Sequence, residues 1–406
     1  GRSALGSNTT ADGNTAVGRL SMSANTTGNG NVAVGYASFD ANTTGNNNTA
    51  VGYEALTAAT TADNNIAVGK HALLSNTTGA ANTVIGVFAG DANTTGSSNV
   101  ALGYAALSAA TTAGANTAIG RDSLAATTTG AYNTGTGYEA LEANTTGASN
   151  TAVGSEALQV NTTGSYNTAV GTNALDANTT SNLHVAVGYE ALKANTTGGA
   201  NTAVGSYSLK LNTTGASNVA VGNDCLDSNT TGSYNTAAGV DALQANTEGA
   251  YNTTIGYAAG DNLTTGDGNI IIGSVDAASA TGDRTLKIAG YDGTNTTTWI
   301  SGDSSGNVTC PANITAYSDE RLKENIETLD GSKVFEMRGV SFIKDGQEGS
   351  GVIAQELEKI APELVHTSED EMGTKSVSYG HIVGYLIESI KDLKAEIEEL
   401  KKDRED

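Results

Sequence analysis

The residues of this chain best suited to chemistry stand near its C-terminal end, in the stretch Ala316-Tyr317-Ser318-Asp319-Glu320-Arg321-Leu322-Lys323-Glu324-Asn325-Ile326. Ser318 and Lys323 lie five apart. A serine hydroxyl is a weak nucleophile until a neighbouring base takes its proton. A lysine serves as that base only where burial or a nearby cation brings it down from about 10.4 toward neutrality. Such a pair can open an amide bond. It sits at the seam between a monotonous, charge-poor region and a charged, aperiodic one, which points to self-cleavage at the seam. An isolated S-x-x-x-x-K is better explained as a solvated turn before a strand, so the surroundings have to decide.

Other chemistries are poorly represented. Glu54, Glu139, Glu156 and Glu190 recur beside a leucine and read as a solvated face rather than the paired carboxylates of a glycosidase. Cys225 and Cys310 are far apart, with no disulfide and no metal spacing expected, so neither a metal nor a cofactor is foreseen. His71 and His184 read as isolated, exposed repeat variants; His366 and His381 fit no Ser–His spacing and read as structural. N-T-T makes an N-glycosylation sequon in most repeats, but its periodicity is better explained by a stacked Asn/Thr turn ladder. A threonine ladder is also what an ice-binding solenoid shows, yet here N-T-T adjoins a Gly and reads as a corner. The net charge of −23 argues against a nucleic-acid partner, which would require a basic surface. No apolar run approaches membrane-spanning length and no signal peptide is visible, so no membrane insertion is expected. The first residue is Gly, which leaves room for an upstream portion.

The elements that position the seam begin with a repeat. N-T-A-V-G-x-x-A-L-x-A-N-T-T-G-x-x recurs every 17 residues, its first position running from Asn14 to Asn269 with His184 as a substitution. That makes sixteen copies without insertion or deletion. Gly and Thr at fixed places oppose helix. N-T-A-V-G reads as a short strand ended by a Gly able to take positive φ, and A-L-x-A-N-T-T as a second extended stretch. The expected fold is a parallel β-solenoid, its coils stacked at about 4.8 Å into a rod on the order of 75 Å long. Two aliphatic columns serve as anchors, one through Val17, Val34 and Val51, the other through Leu56, Leu73 and Leu107; Ala89-Gly90 and Ala259-Gly260 break the second. This is a thin core, and the small residues of A-V-G suit close backbone approach, so three chains around one axis are expected. The repeat resembles that of trimeric autotransporter adhesin heads, although that family's unit is usually shorter; similar Asn/Thr-rich arrays occur in phage fibre shafts.

After Gly273 the period stops. Thr285–Gly290, Thr296–Ile300 and Asp303–Thr309 read as strands and a turn of a β neck, in which the single tryptophan, Trp299, is expected to be packed. Of the 20 basic residues only Arg2, Arg19, Lys70, Arg121, Lys193 and Lys210 precede residue 276, so the charged C-terminal part is a separate module. There, S-D-x-R-L-K-x-x-I (Ser318–Ile326), G-x-I-A-Q-E (Gly351–Glu356) and V-x-Y ending at Tyr379 precede a final helix. Its residues Val383, Leu386, Ile390, Leu393, Ile397 and Leu400 form a heptad seam.

These motifs, in this order, closely resemble the C-terminal intramolecular chaperone auto-peptidase of phage tail fibres and tailspikes, the endosialidase type. The resemblance covers about the last ninety residues. It implies a module that trimerises, guides folding of the shaft and then cuts itself off. Carried over, Ser318 is the nucleophile, Lys323 the general base and Tyr317–Ser318 the scissile bond. The expected division is a solenoid shaft over 1–275, a neck over 276–317, the chaperone over 318–381 and a coiled-coil helix over 382–406. The leading expectation is a homotrimeric virion tail fibre that meets a host cell-surface receptor, a glycan. A bacterial surface adhesin using the same module is the alternative, with a polysaccharide depolymerase behind it.

Overall fold

In a computed structural model of the chain, residues 1–311, 320–344, 346–369 and 372–404 are described. They divide into two compact units, Gly1–Ile314 and Thr315–Asp406. The first is a parallel β-solenoid of sixteen three-residue strands, β1 (Thr15–Val17) to β16 (Ile270–Ile272). Thr15 stands opposite Val32, Ala16 opposite Ala33 and Val17 opposite Val34, and the 17-residue register repeats up the stack. β17 (Leu286–Tyr291) joins as one more parallel strand, with Ile270 opposite Leu286. β18 (Thr296–Gly302) and β19 (Val308–Thr309) then continue the sheet antiparallel. The first neck strand is therefore the last rung of the solenoid.

Each coil has one strand, not two. The A-L-x-A-N-T-T stretch forms successive tight turns, and its leucines take left-handed backbone, with φ of 56° at Leu56, 52° at Leu73 and 55° at Leu107. Such a conformation costs an L-residue about 1–2 kcal/mol. Complete burial of the leucine offsets it with about 1.5–3 kcal/mol. A 17-residue coil must bend back on itself within a few residues, and a second strand would leave too few to turn.

The valine column is not a core column. Along a strand, side chains alternate, and the middle residue (Ala33, Ala50, Ala67) points inward, opposite the leucines. Its two neighbours face out: Val17 is 56% exposed, Ile85 41% and Leu102 39%. The narrow interior accepts an alanine against a leucine, and a valine as well would overfill it. The coils that break the leucine column show the same limit. Where Gly90 replaces leucine, the inward alanine has become Val84, and a Cβ added at Gly90 would lie 3.6 Å from both Val84 methyls. Gly260 is matched in the same way by Thr254 and Ile271.

The glycine after each strand has an intrachain cause. Gly35 has φ of 142°, and a Cβ there would run into the carbonyl of Gly52 one coil on. Close approach of small residues is thus spent on stacking coils of the same chain.

Two buried asparagine columns satisfy the interior. In the first, Asn48 N–H donates to Asn31 Oδ1 (2.8 Å) while its Nδ2 donates to Ala62 O (2.7 Å). In the second, Asn42 Nδ2 donates to Asn25 Oδ1 (2.7 Å) and to Gly45 O (3.1 Å). Thr26 Oγ1 donates to Thr43 O, and the step repeats up the corner. The N-T-T asparagines from Asn25 to Asn229 are buried, as a turn ladder requires and glycosylation would not allow.

His184 is buried, not exposed, because it occupies the first asparagine column. Its N–H donates to Asn167 Oδ1 (3.0 Å) and its Nδ1 accepts Asn201 N–H (3.2 Å), so the ring proton is on Nε2. That proton faces Ser181 Oγ (3.0 Å), which donates onward to Gly198 O (2.9 Å). Serine at 181 therefore relays the bond an asparagine would have made itself. Burial pushes the imidazole down to about 4.

Candidate self-processing site

Tyr317 and Ser318, the expected cleavage pair, lie outside the described residues. Lys323 follows a 3-10 turn, Glu320–Leu322, and its N–H donates to Glu320 O (3.0 Å). Its side chain is exposed in the single chain. His366 and His381 are exposed as well, one on a strand and one in the first turn of the last helix.

The rest of the module is a small α+β body. A 3-10 segment, Gly331–Glu336, is capped by Asp330, whose carboxylate accepts Ser332 N–H (3.0 Å) and is held below its ordinary range chiefly by its bond from the Ser332 hydroxyl. It lies against the long helix α2 (Tyr379–Lys402); a Cβ at Gly331 would meet the backbone of Glu388 and Ser389. The hairpin β20 (Gly339–Lys344) and β21 (Gln347–Val352) leads into α1 (Ala354–Ile360). A second two-stranded sheet pairs β22 (Val365–Thr367) with β23 (Lys375–Val377). Leu357, Ala361, Leu364 and Tyr385 form the core, with Val334, Met337 and Val352 packed on it.

The geometry explains the motif residues. In G-x-I-A-Q-E, Gly351 leaves room for the hydroxyl of Tyr379, the V-x-Y tyrosine, which a Cβ there would displace. Tyr379 Oη in turn accepts Val352 N–H (3.3 Å). Two motifs 27 residues apart thus meet at one bond. Glu356 receives both arms of Arg338, with Nε donating to Oε2 at 3.0 Å. This bidentate pair holds the Glu356 carboxyl below its ordinary range and raises the guanidinium. Lys375 Nζ reaches Glu358 (2.7 Å) and Thr367 Oγ1 (2.8 Å), tying β23 to α1. Beside the core, Leu329, Glu363, His381, Val383 and Tyr385 help to line a cavity of about 500 Å³, where the Tyr385 hydroxyl donates to Glu363. Sequence reading had not singled out Arg338 or Tyr379 as a clamp; the only signal available was a charge and an aromatic at long separation.

The final helix leaves its seam uncovered in the single chain, with Val383, Leu386, Ile390, Leu393, Ile397 and Leu400 exposed. Among the described residues no group of acidic, histidine or cysteine side chains is placed to hold a metal ion. Among the described residues no helix is long and apolar enough to cross a membrane.

Residues 318–366 match the family described as chaperone of endosialidase, and the chain carries that domain at its C-terminal end. The chain is also similar to the long tail fiber protein Gp37 of Enterobacteria phage K3 and to that of Enterobacteria phage T2, 33% identical over 105 residues in each case. The aligned part is 23% of this chain and spans 8% of the length of each relative. No solved structure matches the chain. The chain thus carries an endosialidase-type chaperone domain at its C-terminal end and is similar in part to phage long tail fiber proteins.

Proposed function

We propose that the chain is the shaft and C-terminal end of a homotrimeric phage tail fibre, in which the chaperone domain aligns three chains, guides their folding and then cleaves between Tyr317 and Ser318. The observation that carries the trimer is the outer strand face of the solenoid. In the sixteen copies, its two outward columns and the corner column before them contain no charged residue, in a chain of net charge −23. At about 4.8 Å per coil and about 10 Å of width the face offers about 750 Å² per chain, near the ~800 Å² per partner of a stable interface. The exposed heptad seam on α2 is a further surface for self-association. Its β-branched residues alternating with leucine are the pattern of a parallel dimer, so the trimer rests on the strand face and not on this seam.

In the cleavage step Ser318 Oγ adds to the Tyr317 carbonyl carbon as Lys323 takes its proton. The Ser318 nitrogen leaves with that proton, and water opens the resulting ester to a Tyr317 carboxylate. A lysine acts as a base only after desolvation or beside another cation, and here desolvation is proposed. Lys323 is exposed in the single chain, so assembly has to supply that burial, and cutting follows trimerisation. The neck then ends the fibre on the virion tail. Trp299, whose ring lies over Gly290 and is 56% exposed in the single chain, offers a surface there for a glycan receptor on the host cell.

Denaturing gels test the cleavage. The parent should give a small fragment whose N-terminal residue is Ser318; Ser318→Ala and Lys323→Ala should each give one full-length band, and continued cutting in either would sink the dyad.

A further inference from the structure

A second surface of the solenoid stands out beside the strand face, at the corner where each strand ends. Tyr36, Tyr53, His71, Phe88 and Tyr104, one per coil, have ring centroids 5.3, 5.7, 5.3 and 6.0 Å apart. After the parallel first pair, the successive planes turn by 50°, 65° and 87°, so this is no closed stack in which each ring hides the next. Tyr53 is 47% exposed and Tyr104 51%. Four of the six basic residues of the array lie over these rings or their equivalents: Arg19 on Tyr36, Lys70 on Phe88, Arg121 between Tyr104 and Tyr138, Lys210 on Tyr207. Along the first eight coils the cations are balanced by Glu54, Asp122 and Glu139, and the ridge has no net charge.

Coil closure does not require these rings. The copies with Ser155-Glu156 and Thr172-Asn173 at the same corner keep the same strands and register. The aromatic run is therefore surplus to the fold.

We propose that this ridge binds an uncharged, linear polysaccharide laid parallel to the solenoid axis. The exposed sides of the rings pack against the C–H groups of successive sugars, and one coil step is close to the length of one extended pyranose unit. The adjoining carboxylates and guanidinium groups are placed to pair with sugar hydroxyls. The assignment rests on the fibre reading only in leaving the neighbouring strand face to sister chains. It puts glycan contact along the shaft, separate from the receptor contact at the neck.

The test is affinity electrophoresis of the full chain through gels holding hydroxyethyl cellulose, mixed-linkage β-glucan, dextran or hyaluronan, with mass photometry in parallel. At least one neutral polymer should retard the parent, with little sensitivity to salt. A Tyr53→Ser/Tyr104→Ser double variant should lose at least tenfold in affinity, and Tyr53→Phe/Tyr104→Phe should keep most of it. Tyr132→Ser/Tyr166→Ser, on the other edge of the strand face, should bind like the parent. Retardation by none of the polymers, or by hyaluronan alone, overturns the proposal, as does a double serine variant that binds normally. A monomer in mass photometry counts against the fibre reading, whatever the gels show.

Discussion

His184 shows how much one residue in a ladder can carry. Its folded pKa of about 4 lies below the ordinary 6.5, so between these values the unfolded coil holds a proton that the folded coil does not. Stability is then complete above about pH 6.5 and is lost as pH falls toward 4, by on the order of 3 kcal/mol. Protonation would also put a hydrogen on Nδ1, where Asn201 N–H already donates. Hydrogen exchange should show the coils around residue 184 opening first at pH 4.5, and His184→Asn should remove most of that pH dependence. Cys225 is the inert counterpart. Burial pushes its thiol up to about 12, and its Sγ lies 3.3 Å from Ala237 O, so a thiol reagent on the native protein should label Cys310 and spare Cys225.

At the scale of the coil, side chains substitute in matched sets. In the second asparagine column, Ala59 and Ala110 replace asparagine, and Ala62 and Ala113 replace the glycine three residues on. The reason is partly steric: a Cβ at that glycine would strike the Oδ1 of its own coil's asparagine as well as the carbonyl one coil on, as at Gly79 against Asn76 and Gly96. Ser181, in the coil that holds His184, replaces the glycine while Asn178 is kept, and Thr127 and Leu263 replace the asparagine while Gly130 and Gly266 are kept. Where Ala110 interrupts the column, Asn93 Oδ1 is left without a donor. Ala110→Asn alone should therefore destabilise the shaft, while Ala110→Asn with Ala113→Gly should gain about 1 kcal/mol by supplying that donor. Chemical denaturation of the four members of the cycle gives the coupling; additive effects would mean the pairing is accidental. Gly90 and Val84 form a matched set of another kind, one of volume, and Gly90→Leu should cost about 1–3 kcal/mol through overpacking unless Val84 is returned to alanine.

For the whole molecule the central quantity is register. Parallel pairing forms slowly and exposes edges, and near-identical coils let a chain slip by 17 residues at small loss of contact. On the proposed function, a domain that aligns three chains before the shaft zips up would suppress such slips, and its removal afterwards would leave the shaft kinetically held. Expression of residues 1–317 alone should give aggregate rather than a regular soluble rod. Placing a charge on the strand face, for example Val153→Lys with Val187→Lys, should convert the trimer to monomer or insoluble material in sedimentation, while the solenoid's own interior is untouched. An unaltered trimer would move the interface elsewhere.

The 17-residue period, the number of coils and the motifs of the C-terminal domain were all legible in the sequence, since each depends only on residue identity at fixed spacing. The Ser318–Lys323 pair was legible as types and distance along the chain, and Gly351, Glu356 and Tyr379 as motif letters without partners. Alternation in a three-residue strand is the same read from either face, so no pattern could say that Ala33 and not Val34 points inward. The width of the closed coil decided it, and with it turned the valine column from core into surface. The same closure buried His184 and placed Leu56 in left-handed backbone, while the separate packing of the C-terminal unit brought Val352 N–H to the hydroxyl of Tyr379. Each of these depends on which residues meet across a turn, and that is settled only when the chain folds back on itself.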